Sequence, residues 1–138
     1  MSVQYERLTN WLQQQTLPAV LVSKRINVRY FSGFAGSAGV LVVSPTIRKL
    51  FVDFRYVEQA RQTAPEYETV KCQSNPLDAA VEYLQQQNLD RIGFEAEDLT
   101  VADFRRITSV VAEHRWIPSV LDSLRVVKSA EEIAKIET

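Results

Sequence analysis

Two apolar segments flank a turn in VLVVSPTIRKLFV, residues 40–52. Val40 to Val43 and Lys49 to Val52 have the length and the apolar composition of short strands. The residues between them include Ser, Pro and Thr, which favour turns, so we expect the two strands to form an antiparallel hairpin. From Asp53 the apolar spacing changes to a helical period, which predicts a helix that Asp53 caps and Pro65 ends.

Strand and helix patterns alternate on both sides of this hairpin. Towards the N-terminus, a helix capped by Ser2 and closed by Pro18 precedes a buried strand at 19–22, and residues 23–31 favour a short helix. Towards the C-terminus the predicted elements are a strand at 67–72, a helix entered through Asn75-Pro76, a strand at 91–94, a helix with a Thr100–Asp103 capping box and an apolar face of Phe104, Ile107, Val110 and Val111, and a brief or edge strand at Trp116-Ile117. This alternation predicts the α/β class, with a single domain built on a mixed central β-sheet flanked by helices.

Composition limits both the architecture and the location of the chain. The 138 residues are 46% hydrophobic and 24% charged, which suits one folded domain and excludes a disordered or low-complexity chain. Sixteen basic and 17 acidic side chains give a net charge of −1, so no general attraction to nucleic acid or to an acidic membrane surface is expected. No apolar segment approaches the roughly 20 residues that span a bilayer, and no signal-peptide pattern is present. We therefore predict a cytoplasmic protein.

Histidine and cysteine are too scarce for the commonest catalytic sites. The chain has one histidine, His114, and one cysteine, Cys72. This excludes an internal disulfide and a Cys/His zinc site, and it argues against a Ser-His or Cys-His catalytic pair. His114 is expected to end a helix and to stabilise its C-terminus. If the chain belongs to an enzyme, we expect most of its catalytic residues to lie elsewhere.

Two clusters near the hairpin are candidates for a functional site. Gly33, Gly36 and Gly39 lie in a loop before a strand, an order and spacing unlike phosphate-binding loops, so we expect a closely packed turn. The second cluster, which we call the strand-end cluster, is Asp53-Phe54-Arg55-Tyr56, at the predicted end of a strand. There Arg55 can bind a carboxylate through two parallel hydrogen bonds, with Phe54 as an apolar wall. The alternative is structural: Asp53 caps the helix, Arg55 pairs on the surface and Tyr56 enters the core.

A third cluster lies near the end of the sequence. LRVVKS, residues 124–129, is expected to be an extended connector between domains. Ser129 and Glu132 then form a predicted capping box, yet the sequence ends at Thr138, about two turns into that helix. We expect an α/β domain over residues 1–124, and over 125–138 a connector and the start of a helix that leads to a further, missing domain. A natural short C-terminal helix is the alternative.

Together, YFSGFAGSAG (30–39), VDFRYVEQA (52–60) and LRVVKSAEEI (124–133) resemble the N-terminal domain of creatinase/prolidase-type "pita-bread" metallopeptidases. The most similar members are Xaa-Pro aminopeptidases and Xaa-Pro dipeptidases. The resemblance implies a non-catalytic α/β domain with a ribonuclease-H-like sheet, followed by a catalytic domain with a dinuclear metal site. The resemblance implies that this metal is manganese, or cobalt or zinc, and that two Asp, one His and two Glu hold it. None of these ligands matches a residue of this chain, so we predict no catalytic residue and no metal ligand within it.

The resemblance also implies partners and a role for the strand-end cluster. Such domains contact their own catalytic domain, help to form a homodimer or homotetramer, and narrow the entrance so that short Xaa-Pro peptides are favoured. Phe54, Arg55 and Tyr56 would contact substrate bound to the neighbouring subunit. Two other functions are open: a peptide- or protein-binding module from a catalytically inactive creatinase-like protein, and a stand-alone oligomerisation or regulatory domain. Aminopeptidase and dipeptidase specificity are both open.

Overall fold

Helices and strands alternate along residues 2–125, the part of the chain that the computed structural model describes. In chain order the elements are α1 (Val3–Gln15), β1 (Ala19–Val22), α2 (Arg25–Ser32), β2 (Val40–Val43), β3 (Arg48–Asp53), a 3-10 turn (Phe54–Tyr56), α3 (Val57–Thr63), β4 (Glu68–Cys72), α4 (Pro76–Gln86), β5 (Ile92–Phe94), α5 (Val101–Thr108), a second 3-10 turn (Glu113–Arg115) and β6 (Trp116–Pro118). None of these helices is both long enough and apolar enough to cross a membrane.

The strands form one mixed sheet in the order β4-β3-β2-β1-β5-β6. β2 and β3 are the expected antiparallel hairpin, with Val40 opposite Phe51 and Val43 opposite Arg48. β1 adds to this hairpin antiparallel to β2, while the pairs β1–β5, β5–β6 and β3–β4 are parallel. β6 lies at an edge of the sheet, as Pro118 predicts for a residue without a backbone N–H. The predicted single α/β domain with a mixed sheet is confirmed.

Helices cover both faces of the sheet, so β1 and β2 are buried along their whole length. Because side chains alternate along a strand, Val20 and Val22 enter one core while Ala19 and Leu21 enter the other. The first core contains the apolar faces of α1, α2 and α3, and the second contains those of α4 and α5. The continuous apolar pattern of the two strands thus follows from a three-layer arrangement.

The helix ends follow the caps that the sequence predicts. The Ser2 hydroxyl accepts a hydrogen bond from the Tyr5 N–H at 3.2 Å, and the Asn75 side chain accepts one from the Leu77 N–H at 2.8 Å. Thr100 begins α5 through a capping box in which its hydroxyl and the N3 carboxylate each accept a backbone N–H. Each of these contacts satisfies an N–H that has no partner within its helix.

The extent of α5 was overestimated by the sequence pattern. The helix ends at Thr108, so Val110 and Val111 follow it instead of lying on its apolar face. The Thr108 and Ser109 hydroxyls donate to carbonyls of the last turn, which is the competition with backbone bonding that ends helices. His114 consequently lies in the second 3-10 turn, and the prediction that it stabilises the C-terminus of a helix was wrong.

Most of the predicted connector is not covered by the structure. Residues 122–125 are helical, so the prediction of an extended segment was wrong for Leu124 and Arg125. Arg125 is half-buried, and its guanidinium lies 3.5 Å from the Asp122 carboxylate. The connector beyond it and the Ser129–Glu132 capping box lie outside the described residues.

Candidate functional site

The strand-end cluster begins where β3 meets the first 3-10 turn. Asp53 ends the strand, and its carboxylate accepts hydrogen bonds from the backbone N–H of Arg55 at 2.9 Å and from the Arg55 Nε at 3.1 Å. The backbone hydrogen bond, followed by the side-chain one, lowers the pKa of Asp53. Asp53 is therefore ionised and acts as the helix cap that the sequence predicts, while it also orients the neighbouring guanidinium.

Phe54 and Arg55 project from this turn, whereas Tyr56 fixes it to the domain. Phe54 is 59% exposed, and the Arg55 side chain is 66% exposed. The half-buried Tyr56 ring packs edge-to-face against Phe34, with ring centroids 6.0 Å apart, and its hydroxyl is 2.9 Å from the Ser37 hydroxyl. An exposed aromatic ring and an exposed guanidinium thus stand together on an anchored turn, which suits recognition of a peptide with an anionic group.

The structural alternative for this cluster holds at Asp53 and Arg55 but not at Tyr56. Asp53 caps the turn and Arg55 pairs with it on the surface, as the structural alternative states. Tyr56, however, lies at the margin of the core instead of inside it. A surface pair with one neighbouring carboxylate does not occupy all five guanidinium N–H donors. The substrate role of Phe54, Arg55 and Tyr56 therefore stays a prediction.

The glycine loop packs around one aromatic side chain. Phe34 is fully buried, and a Cβ added at Gly36 or Gly39 would lie 2.4 or 2.6 Å from its ring. Gly33 ends α2 with a φ of 94°, a conformation that favours glycine. Two of the three glycines thus make room for the Phe34 ring, and the third allows a helix end. The closely packed turn that the sequence predicts is present.

A buried polar cluster at the end of β5 was not found from the sequence. Glu95 is 3% exposed, and one of its oxygens accepts the backbone N–H groups of Ser23 and Lys24, both at 3.0 Å. Asn27 donates its side-chain amide to the other Glu95 oxygen and to Asp122. Burial raises the pKa of Glu95 despite these hydrogen bonds. This cluster holds the entry to α2 against the sheet and against residue 122, which is a structural role.

The described residues offer few groups for covalent or metal chemistry. No three His, Cys, Asp or Glu side chains among residues 2–125 are grouped so that they could hold a metal ion. Cys72 is buried at the end of β4, and burial raises the pKa of its thiol. An open apolar cavity of about 280 Å³ lies beside α5, lined by Phe94, Ala96, Leu99, Thr100, Val101 and Phe104. Within the described chain, the exposed turn after β3 is the best candidate for contact with a ligand.

Comparisons with known proteins agree with this architecture. Residues 4–127 match the Creatinase/Prolidase N-terminal domain. The uncharacterized peptidase YqhT of Bacillus subtilis is 30% identical over 134 residues, which are 96% of this chain and 38% of that protein. This chain thus spans little more than a third of the relative.

Solved structures show the same fold. The N-terminal domain of cytoplasmic peptidase PepQ from Mycobacterium tuberculosis superposes with a TM-score of 0.80 at 26% identity, covering 88% of this chain and 95% of that one. The Xaa-Pro dipeptidase from Bacillus anthracis gives 0.77 at 27% identity, covering 86% of this chain and 33% of that one. The resemblance based on three sequence motifs is confirmed, and the chain belongs to the creatinase/prolidase N-terminal domain family.

Proposed function

We propose that this chain is the non-catalytic N-terminal domain of a cytoplasmic Xaa-Pro peptidase and that it shapes the substrate entrance. Phe54 and Arg55 on the turn after β3 carry the proposal, because both side chains are mostly exposed while Tyr56 anchors the turn. In this proposal the guanidinium binds a carboxylate of a short peptide, and the Phe54 ring contacts an apolar side chain. Relatives named Xaa-Pro dipeptidase support the substrate class.

Catalysis is assigned to a second domain. The described residues do not fit the dinuclear metal site of this family, because they contain no group of three His, Cys, Asp or Glu side chains that could hold an ion. We therefore place the manganese, cobalt or zinc site in the part of the protein that corresponds to the remaining length of the relatives. Assembly into a homodimer or homotetramer would bring Arg55 of one subunit to the active site of its neighbour.

The decisive experiment measures peptide hydrolysis by the full-length protein. Arg55→Ala should lower kcat/KM for short Xaa-Pro peptides by about 10- to 100-fold, the range for loss of hydrogen bonds to a charged group. Arg105→Ala is the matched control, since Arg105 is an exposed arginine on α5, which packs on the opposite face of the sheet. Unchanged kinetics in Arg55→Ala would show that the guanidinium only pairs with Asp53.

Two further outcomes separate the alternatives. Metal-dependent turnover by the purified 138-residue chain would contradict the assignment of catalysis to another domain. A full-length protein that binds Xaa-Pro peptides but never hydrolyses them would favour the binding-module function. A mixing experiment tests contact in trans. Arg55→Ala subunits should regain part of their activity when mixed with subunits inactivated in the catalytic domain. In a mixed assembly, the active catalytic domain of the Arg55→Ala subunit is next to the intact Arg55 of its neighbour.

A further inference from the structure

The two motifs that flank the hairpin are in direct contact, although the sequence separates them by about 20 residues. The Ser37 hydroxyl belongs to the glycine loop and lies 2.9 Å from the Tyr56 hydroxyl of the strand-end turn. Phe34, from the same loop, packs against the Tyr56 ring in an edge-to-face contact. The Tyr56 side chain is therefore held by an aromatic contact to its ring and by a hydrogen bond to its hydroxyl.

Arg55 rests on this ring. Its guanidinium carbon is 5.6 Å from the Tyr56 ring centroid, within the range of a cation–π interaction. Asp53 holds the other side of the guanidinium through Nε at 3.1 Å and Nη2 at 3.5 Å. The exposed charge is thus placed by two supports, a carboxylate and an aromatic face, and the position of the second support depends on Ser37.

The glycine loop makes several contacts of its own. The backbone of Gly36 and Gly39 packs against the Phe34 ring, and Arg25 donates a hydrogen bond to the Ala35 carbonyl at 3.0 Å. Ala38, next to Ser37, has a φ of 61°, a conformation that residues with a side chain adopt rarely. Such a conformation persists where the surrounding contacts determine it. Ser37 therefore presents its hydroxyl from a defined position.

We propose that Ser37 is a positioning residue for Arg55, acting through the hydroxyl and ring of Tyr56. This proposal rests on the proposed function of Arg55 and deepens it. Without the Ser37 hydroxyl, the Tyr56 ring keeps its contact with Phe34 but gains freedom at its tip. The fold persists, while one of the two supports of the guanidinium becomes less fixed and Arg55 samples more orientations. Because Arg55 would bind substrate equally in the ground and transition states, the loss raises KM and leaves kcat unchanged.

NMR spectroscopy of the 138-residue chain tests the positioning directly. In Ser37→Ala, the Nε–Hε signal of Arg55 should move towards the value of an unstructured arginine, with an unchanged urea midpoint. Tyr56→Phe should shift the same signal, and the double variant should add nothing further. Ser37→Thr restores a hydroxyl and should restore the signal. Ser109→Ala, which removes a hydroxyl from the far side of the sheet, is the control. An Arg55 signal that does not change in Ser37→Ala overturns the proposal.

Kinetics of the full-length protein distinguish this proposal from the proposed function. Ser37→Ala should raise KM for short peptides by about 2- to 10-fold, the range for one hydrogen bond between neutral groups. If Arg55→Ala has no effect on kcat/KM, the proposed function fails, and the NMR result still decides whether Ser37 positions Arg55. If Arg55→Ala impairs the enzyme and Ser37→Ala changes neither KM nor the NMR signal, the positioning role alone is refuted.

Discussion

Replacing Gly36 with alanine should destabilise the domain through Phe34. A Cβ at this position would lie 2.4 Å from the Phe34 Cζ and 2.9 Å from Cε1, whereas carbon atoms in contact prefer about 3.5–4 Å. The ring has to move by about 1 Å. It is fully buried, and Gly39 already lies against its Cε2 and Cδ2 side. The Phe34 ring therefore cannot move away from the added Cβ without a substantial cost in free energy.

The expected loss follows from two opposing effects. Overpacking of a core costs about 1–3 kcal/mol. Gly36 lies outside the positive-φ region, so alanine adds no backbone strain and recovers about 0.4–1 kcal/mol by restricting the unfolded chain. The loss from overpacking is larger than the gain from restricting the unfolded chain. The free energy of unfolding should therefore fall by about 1–2 kcal/mol.

Urea unfolding of five variants, compared with the wild-type chain, measures this coupling. Phe34→Leu removes the ring atoms that clash, so in a double-mutant cycle the Gly36→Ala and Phe34→Leu losses should sum to at least about 1 kcal/mol more than the loss in the double variant. Gly33→Ala is the matched control, since its Cβ would meet the backbone carbonyl of Thr63 at 2.4 Å. Its cost should persist in the Phe34→Leu background. Additive losses for Gly36 and Phe34, or an unaffected Gly36→Ala, would refute the steric argument.

Two other predictions concern stability. Thr16 ends α1 with a φ of 58°, so Thr16→Gly should raise the free energy of unfolding by about 1 kcal/mol in urea titrations, whereas Thr9→Gly, inside the same helix, should lower it. Burial holds the pKa of Glu95 above its ordinary 4.5, so the folded state binds the extra proton and stability falls as pH rises from 4.5 through the folded pKa. In urea titrations at a series of pH values, the free energy of unfolding of the wild-type chain should fall across that interval relative to that of Glu95→Gln. If the difference in the free energy of unfolding between the two proteins does not change with pH, the raised pKa of Glu95 is contradicted.

Most helices and strands were predicted correctly, because the sequence signals for them depend on residues that are close together in the chain. Ser2, Asn75 and Thr100 cap their helices through contacts that span two or three residues, and these starts were correct. The order of the strands depends instead on contacts between distant segments. The position of β1 between β2 and β5 follows from the packing of helices on both faces, which no short pattern contains.

The polar cluster around Glu95 shows why some buried polar contacts could not be predicted from the sequence. Its hydrogen bonds join residues 68 to 95 positions apart, for example Glu95 with Asn27 and Asn27 with Asp122. One signal was available. Lys24 stands at the N-cap of α2 without a side-chain acceptor of its own, so a partner from elsewhere in the chain is needed near that helix start. An isolated Glu after a buried strand is a candidate for that partner.

The relation between the glycine loop and the strand-end turn determines how variants in either motif should be interpreted. Phe34 contacts Gly36, Gly39 and Tyr56, so a change at the glycines reaches Arg55 through the rings of Phe34 and Tyr56. Gly36→Ala should therefore disturb both stability and the Arg55 signal, whereas Ser37→Ala should disturb the signal alone. A glycine variant that loses peptide recognition is then no evidence that the loop binds a ligand. Only a change that leaves the urea midpoint intact separates positioning of the guanidinium from packing of the core.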